Sequence, residues 1–142
     1  MKRKLLDNLI EWKNKEGHKP LILEGARQVG KTWLMKEFGR TQYKKVAYIN
    51  FDRNLKMREA FETDLDTKRL ITAIGLDAEF KITPEDTLII FDEIQECPRA
   101  ITSLKYFNEE AQEYDIIAAG SLLGVAHHSG TGFPVGTVEF LN

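Results

Sequence analysis

The chain of 142 residues is 42% hydrophobic and 30% charged, the proportions of one ordinary soluble domain with enough length for a real core. A net charge of −2 and a pI near 6.0 argue against a surface that coats nucleic acid at large, while leaving room for a local basic patch. Cys97 is the only cysteine, which rules out an internal disulfide and a cysteine-rich zinc site; no apolar run reaches the roughly 18 residues of a membrane span, and the one after Met1-Lys2-Arg3-Lys4 is too short for a signal peptide, so a cytoplasmic protein with no membrane partner is expected.

Leu5, Leu6, Leu9 and Ile10 recur at helical spacing between Asp7, Asn8 and Glu11, and predict an amphipathic helix over residues 4–14, packed beside whatever site the next segment builds. Asn14-Lys15-Glu16-Gly17 shares its first two residues with the guanine-reading Asn-Lys-x-Asp signature, but Gly17 stands where the aspartate belongs, so the segment reads as a loop. His18 beside Lys19-Pro20 reads as a solvated loop residue, with a base contact as the alternative.

Leu21-Ile22-Leu23 is a short apolar strand, and Trp33 to Phe38 begins a helical pattern. Between them lies Gly25 to Thr32, GARQVGKT, which fits the phosphate-loop pattern of glycine, four residues, glycine, lysine, then serine or threonine. A strand feeding a glycine turn and then a helix gives the pattern a mechanism, because main-chain N–H groups and the helix N-terminus face an anion. Gly25 and Gly30 are expected to supply backbone angles closed to other residues and to let N–H groups approach phosphate oxygens. Lys31 would set a full charge against the β- and γ-phosphates, and the Thr32 hydroxyl would ligate Mg²⁺. The residues expected to contact the nucleotide are Gly25, Ala26, Arg27, Gln28, Val29, Gly30, Lys31, Thr32 and Trp33.

Lys45 to Phe51, KVAYINF, predicts a strand covered on both faces. Asp52 follows at its carboxyl end, as a turn acid or as a distant contact of a metal or water. Two helical patterns, around Leu55 to Phe61 and Leu65 to Leu76, carry scattered charge and no chemistry, and Thr83-Pro84-Glu85-Asp86 is a turn.

Thr87 to Gln95, TLIIFDEIQ, is a buried strand that delivers Asp92 and Glu93 to the carboxyl edge of the sheet, where the phosphate loop also lies. Asp92 is expected to hold magnesium, usually through its water shell, and Glu93 to orient and deprotonate an attacking water. Cys97-Pro98-Arg99 starts a helix with Ala100, Ile101, Leu104, Phe107 and Ala111 as its buried stripe. Cys97 reads as a packed small residue, and Arg99 as a solvated helix-start residue rather than a phosphate contact. Tyr114 to Ser121 is a further apolar strand. Ser121 at its end either reads the γ-phosphate and the lytic water or simply closes a turn. Gly124 to Gly136, with the pair His127-His128, reads as a loop; adjacent histidines on extended backbone diverge and rarely chelate one metal. Val138 to Leu141 begins a strand, and the abrupt stop at Asn142 suggests a piece of a longer protein.

GARQVGKT, TLIIFDEIQ, AAGSLL and FPVGTVEFLN, in this order and spacing, resemble the prokaryotic AAA-type ATPases, an additional-strand P-loop group related to STAND proteins, that carry an uncharacterised C-terminal domain. The resemblance spans essentially the whole chain. It implies that residues 1–142 form the ATPase domain alone, a three-layer α/β P-loop fold with a mostly parallel sheet in which Tyr114 to Ser121 inserts between the phosphate-loop strand and the acidic strand. It matches Lys31 and Thr32 to the nucleotide and magnesium residues, Asp92 and Glu93 to the second acidic motif, and Ser121 to a sensor-like polar position. Thr137 stands where a basic residue often follows the Pro-Val-Gly segment.

The resulting expectation is a domain that binds and hydrolyses Mg-ATP, weakly by itself, with Lys31, Glu93 and Ser121 as catalytic residues and Thr32 and Asp92 at the metal. Its nucleotide state would drive a missing C-terminal domain, a partner or a second copy; whether nucleic acid takes part is left open. A nucleotide-gated binding module with negligible turnover and a phosphotransferase are the competing classes.

Overall fold

The computed structural model describes residues 2–24, 29–120 and 136–141, without the side chains of Lys2 and Val29. The phosphate-loop residues Gly25, Ala26, Arg27 and Gln28, the sensor candidate Ser121 and the pair His127-His128 lie outside the described residues. Element order is α1 (Lys2–Asn14), β1 (Leu21–Leu23), α2 (Val29–Gln42), β2 (Lys45–Asn50), α3 (Leu55–Thr63), α4 (Thr67–Ala78), β3 (Thr87–Asp92), a 3₁₀ turn (Ile94–Glu96), α5 (Pro98–Glu110), β4 (Asp115–Ala119) and β5 (Glu139–Leu141).

Among the described residues five strands form one sheet in the order β2-β3-β4-β1-β5, and every neighbouring pair is parallel. The strand that follows the acidic motif, β4, lies between β1 and β3, as the resemblance implies. Alternation along the strands divides the core in two. Leu21, Leu23, Leu88, Ile90, Ile117 and Ala119 face α1 and α2, where they meet Leu9, Trp12, Leu34, Met35 and Phe38. Ile22, Ala47, Ile49, Ile89, Phe91, Ile116 and Ala118 face α3, α4 and α5. On that second face Phe51, Phe61 and Phe91 meet edge to face with ring centroids 5.4 to 5.6 Å apart. The result is three layers, with α1 packed on the helix that carries Lys31 and Thr32.

Local signals explain the element ends. Asn54 and Asp66 cap α3 and α4, their side-chain oxygens accepting from the N–H groups of Met57 and Arg69. Pro98 opens α5 from its first turn. Gly17, at φ +72, makes the turn that α1 needs to reach β1. Asp52 is an exposed turn residue. Cys97 is buried, and burial pushes its thiol pKa up. Arg99 is not simply solvated: its Nε donates to the Phe61 carbonyl at 3.1 Å, tying α5 to α3.

His18 also departs from the solvated loop residue expected of it. Its Nε2 lies 2.6 Å from Asp115 Oδ1 and its Nδ1 2.9 Å from the Lys15 carbonyl oxygen. Both neighbours are acceptors, so the ring satisfies both only as the doubly protonated imidazolium. Tyr43 donates its hydroxyl to the other Asp115 oxygen at 2.6 Å, and Trp12 meets the His18 ring edge-on at 4.7 Å. Sequence could not show this, because Asp115 lies 97 positions away.

The hydrogen bond to Asp115 holds the His18 pKa above its usual 6.5 against the opposing pull of burial. A folded-state pKa above the unfolded one stabilises the fold fully below about pH 6.5, and that contribution is lost as pH rises through the raised value. Urea midpoints of the parent should therefore fall across that window, and those of His18→Gln should fall less. Equal pH dependence in the two proteins would refute the ion pair.

Candidate nucleotide site

The carboxyl ends of β1, β3 and β4 and the first turn of α2 converge on one small region. Because Leu88 and Ile90 face α2, Asp92, two residues further on, faces it too. The Thr32 hydroxyl, in the first turn of α2, donates to Asp92 Oδ2 at 2.7 Å. The Tyr48 hydroxyl donates to the same oxygen at 2.6 Å, and the Glu93 N–H to Oδ1 at 3.0 Å. Asp92 is only 2% exposed, so these three donors replace the water it gives up.

Lys31 is 9% exposed, and its Nζ donates to the Gly120 carbonyl at 3.1 Å, just past the end of β4. Burial pushes its pKa below the usual lysine value, while the charges of Asp92, Glu93 and Glu24 pull it back up. The lysine thus stands as a desolvated cation among three carboxylates.

Glu93 adopts φ 52, ψ 45, a left-handed conformation uncommon for a residue with a side chain, and it breaks β3 from the 3₁₀ turn that follows. Consecutive strand side chains alternate, which would carry Glu93 to the far face; the left-handed residue ends that alternation. Its Oε1 accepts from Gln95 Nε2 at 2.7 Å. Gly120 touches the same group: a Cβ there would collide with Gln95 Oε1 and lie 3.2 Å from the Gln95 main-chain nitrogen.

Of the residues expected at the site, Lys31, Thr32, Asp92 and Glu93 are brought together. Gly30 is corrected in part. It sits in α2 without positive φ, so unusual backbone angles are not its role; among the described residues, its own helix backbone and chain neighbours aside, no atom lies within 4 Å of a Cβ built on it. Val29 is the first residue of α2, and Trp33 is 47% exposed. Sequence reasoning missed Tyr48, Gln95 and Gly120. Tyr48 carried a usable signal: it lies two residues before Asn50, which pairs with Asp92, and so shares a sheet face with that acid.

The parallel order with β4 inserted, and a lysine and threonine at the start of α2 facing an acidic strand end, define the α/β fold of P-loop ATPases. A family profile described as AAA domain matches residues 17–142, and the chain belongs to that family. Family membership supports nucleotide binding and ATPase-type activity. Among solved structures, the Walker-type ATPase PABY2304 of Pyrococcus abyssi is similar at TM-score 0.52 and 17% identity, covering 89% of this chain and 47% of that one. The Drosophila ORC structure, bound to AT-rich DNA and Cdc6, is similar at TM-score 0.61 and 12% identity, covering 99% of this chain and 53% of that one. The chain therefore spans about half the length of these two structures, and at such identities the likeness is one of fold. No curated protein is similar enough to match. Among the described residues no helix is long and apolar enough to cross a membrane.

Burial first, and then the hydrogen bond to Asp92, push the Tyr48 phenol above its usual pKa, so it remains a donor throughout the physiological range. Tyr48→Phe should lower stability by about 1.5 to 3 kcal/mol, the cost of one hydrogen bond to a charged acceptor. Urea unfolding of the two proteins at neutral pH checks this, and an unchanged midpoint would show that the Tyr48 contact contributes nothing.

Proposed function

We propose that this domain binds Mg-ATP and hydrolyses it to ADP and phosphate. The observation that carries the reading is the meeting of Thr32 with Asp92, 60 residues apart in sequence, beside the buried Lys31. The donor set suits magnesium, since a hydroxyl and a carboxylate 2.7 Å apart are hard oxygen ligands. When bound, the ion would neutralise charge on the β- and γ-phosphate oxygens, held by Thr32 directly and by Asp92 through its waters.

Lys31 exchanges the Gly120 carbonyl for phosphate oxygens, a stronger partner for an ammonium. Main-chain N–H groups at the start of α2 and the helix dipole add to the anion's stabilisation, and by sequence Gly25 to Gln28 belong to the same phosphate-binding motif. Glu93 takes a proton from water as the water oxygen bonds to the γ-phosphorus. The bond from that phosphorus to the β–γ bridging oxygen breaks, and ADP leaves with the electron pair. Ser121, following Gly120, is placed by sequence to contact the γ-phosphate or the water.

Turnover by this domain alone is slow in this reading. Four of the chain's seven arginines, Arg40, Arg58, Arg69 and Arg99, are engaged with carboxylate or carbonyl oxygens of their own chain, and an arginine supplied to the γ-phosphate is worth roughly 10³ to 10⁵ in rate. Nucleotide state is then coupled to a C-terminal domain, a partner or a second copy that completes the site.

Lys31→Ala should abolish detectable ATP binding, because it removes the lysine's full positive charge from the phosphate site. Calorimetry with Mg-ATP that returns parental affinity for the variant would overturn the phosphate-loop assignment. Separating the two acids tests the mechanism. Glu93→Gln should bind ATP as the parent does and hydrolyse it roughly 10² to 10⁴ times more slowly, whereas Asp92→Asn should reduce the magnesium dependence of binding itself. Affinities with and without Mg²⁺, followed by single-turnover hydrolysis, make the distinction; parental hydrolysis by Glu93→Gln would favour a gated binding module or a base from another subunit.

A further inference from the structure

We propose that Gln95 is a positioning residue for hydrolysis, whose amide fixes the Glu93 carboxylate in the orientation that accepts the water's proton; this rests on the reading of Glu93 as the base. The glutamate leaves a left-handed backbone on a flexible side chain, so the main chain alone does not define where its carboxylate points. Gln95 Nε2 donates to Oε1 at 2.7 Å, which restricts rotation of the carboxylate.

Gln95 is itself seated firmly. It lies in the 3₁₀ turn closed by the Glu96 N–H to the Glu93 carbonyl at 3.1 Å and by the Cys97 N–H to the Ile94 carbonyl at 3.0 Å. Ile94 is fully buried and anchors that turn in the core. The Gln95 side chain packs against Gly120, where no Cβ could be accommodated without displacing it, and the Gly120 carbonyl holds Lys31 at 3.1 Å. One amide therefore spans from the residue beside the lysine to the acid. The Glu93 carboxylate is thereby tied to the same strand end that holds Lys31.

The test is a double-mutant cycle of Gln95→Met with Glu93→Gln, read as ATP affinity and single-turnover hydrolysis. Methionine keeps the length and most of the packing and removes the donor. Gln95→Met should bind Mg-ATP within about threefold of the parent and hydrolyse it some 10- to 100-fold more slowly, part of the roughly 10² to 10⁴ a general base supplies. In the Glu93→Gln background it should add nothing further. Parental or faster hydrolysis by Gln95→Met, or an equal loss in both backgrounds, overturns the positioning role while leaving the base assignment intact. Parental hydrolysis by Glu93→Gln overturns the base assignment itself, and the positioning role with it. If Gln95→Met loses its circular dichroism signature, Gln95→Asn, whose amide is one methylene short of Glu93, takes its place with the same expected split.

Discussion

The Asp92 carboxylate, almost wholly removed from water, is the group on which the site depends. A carboxylate in that position must be surrounded by donors, and each of the three it has comes from a different element: Thr32 from α2, Tyr48 from β2 and the Glu93 N–H from the end of β3. Satisfying one buried acid thus fixes α2 against the sheet and sets where its first turn, with Lys31, comes to rest. The register of β2 on β3 is part of the same constraint. A slip of one residue would turn Tyr48 to the other face and leave Asp92 short of a partner.

β4 is held at both ends by polar side chains. At its amino end Asp115 receives His18 and Tyr43; just beyond its carboxyl end the Gly120 carbonyl receives Lys31. Between them lie four residues, all buried, whose side chains divide between the two halves of the core. The charged network at the amino end, which extends through Lys15 and Glu139 to β5, stabilises the strand from the pole remote from the nucleotide site. Strand position is therefore set by packing along its length and by hydrogen bonding at its ends.

Much of this was legible in the sequence, for identifiable reasons. Glycine, lysine and threonine at fixed spacing after an apolar strand have a local meaning, as does a strand ending in two acids, and both placed their residues at the same edge. The insertion of β4 came from family resemblance and not from periodicity, since strand order is not a local property. What stayed hidden was contact between distant positions. Tyr48 reads as one apolar-patterned strand residue until its register on β3 is known, Gln95 as the tail of a motif, and His18 as a loop histidine until Asp115 is set beside it. Gly30 erred the other way, because glycine in a phosphate loop suggests unusual angles although its position here is helical.

The insertion of β4 has a chemical consequence. Strands in a sheet are about 4.8 Å apart, so one intervening strand sets the axes of β1 and β3 roughly 9.6 Å apart. With β4 between them, the end of that strand presents a neutral carbonyl, and the Gly120 oxygen accepts from Lys31. A carbonyl is the weaker partner for an ammonium, and phosphate oxygens can displace it. Glu93, meanwhile, accepts from the Gln95 amide. Each of the two thus has a neutral partner at the end of β4 or beyond the end of β3, while the charge of Glu93 still acts on Lys31 and raises its pKa against the effect of burial.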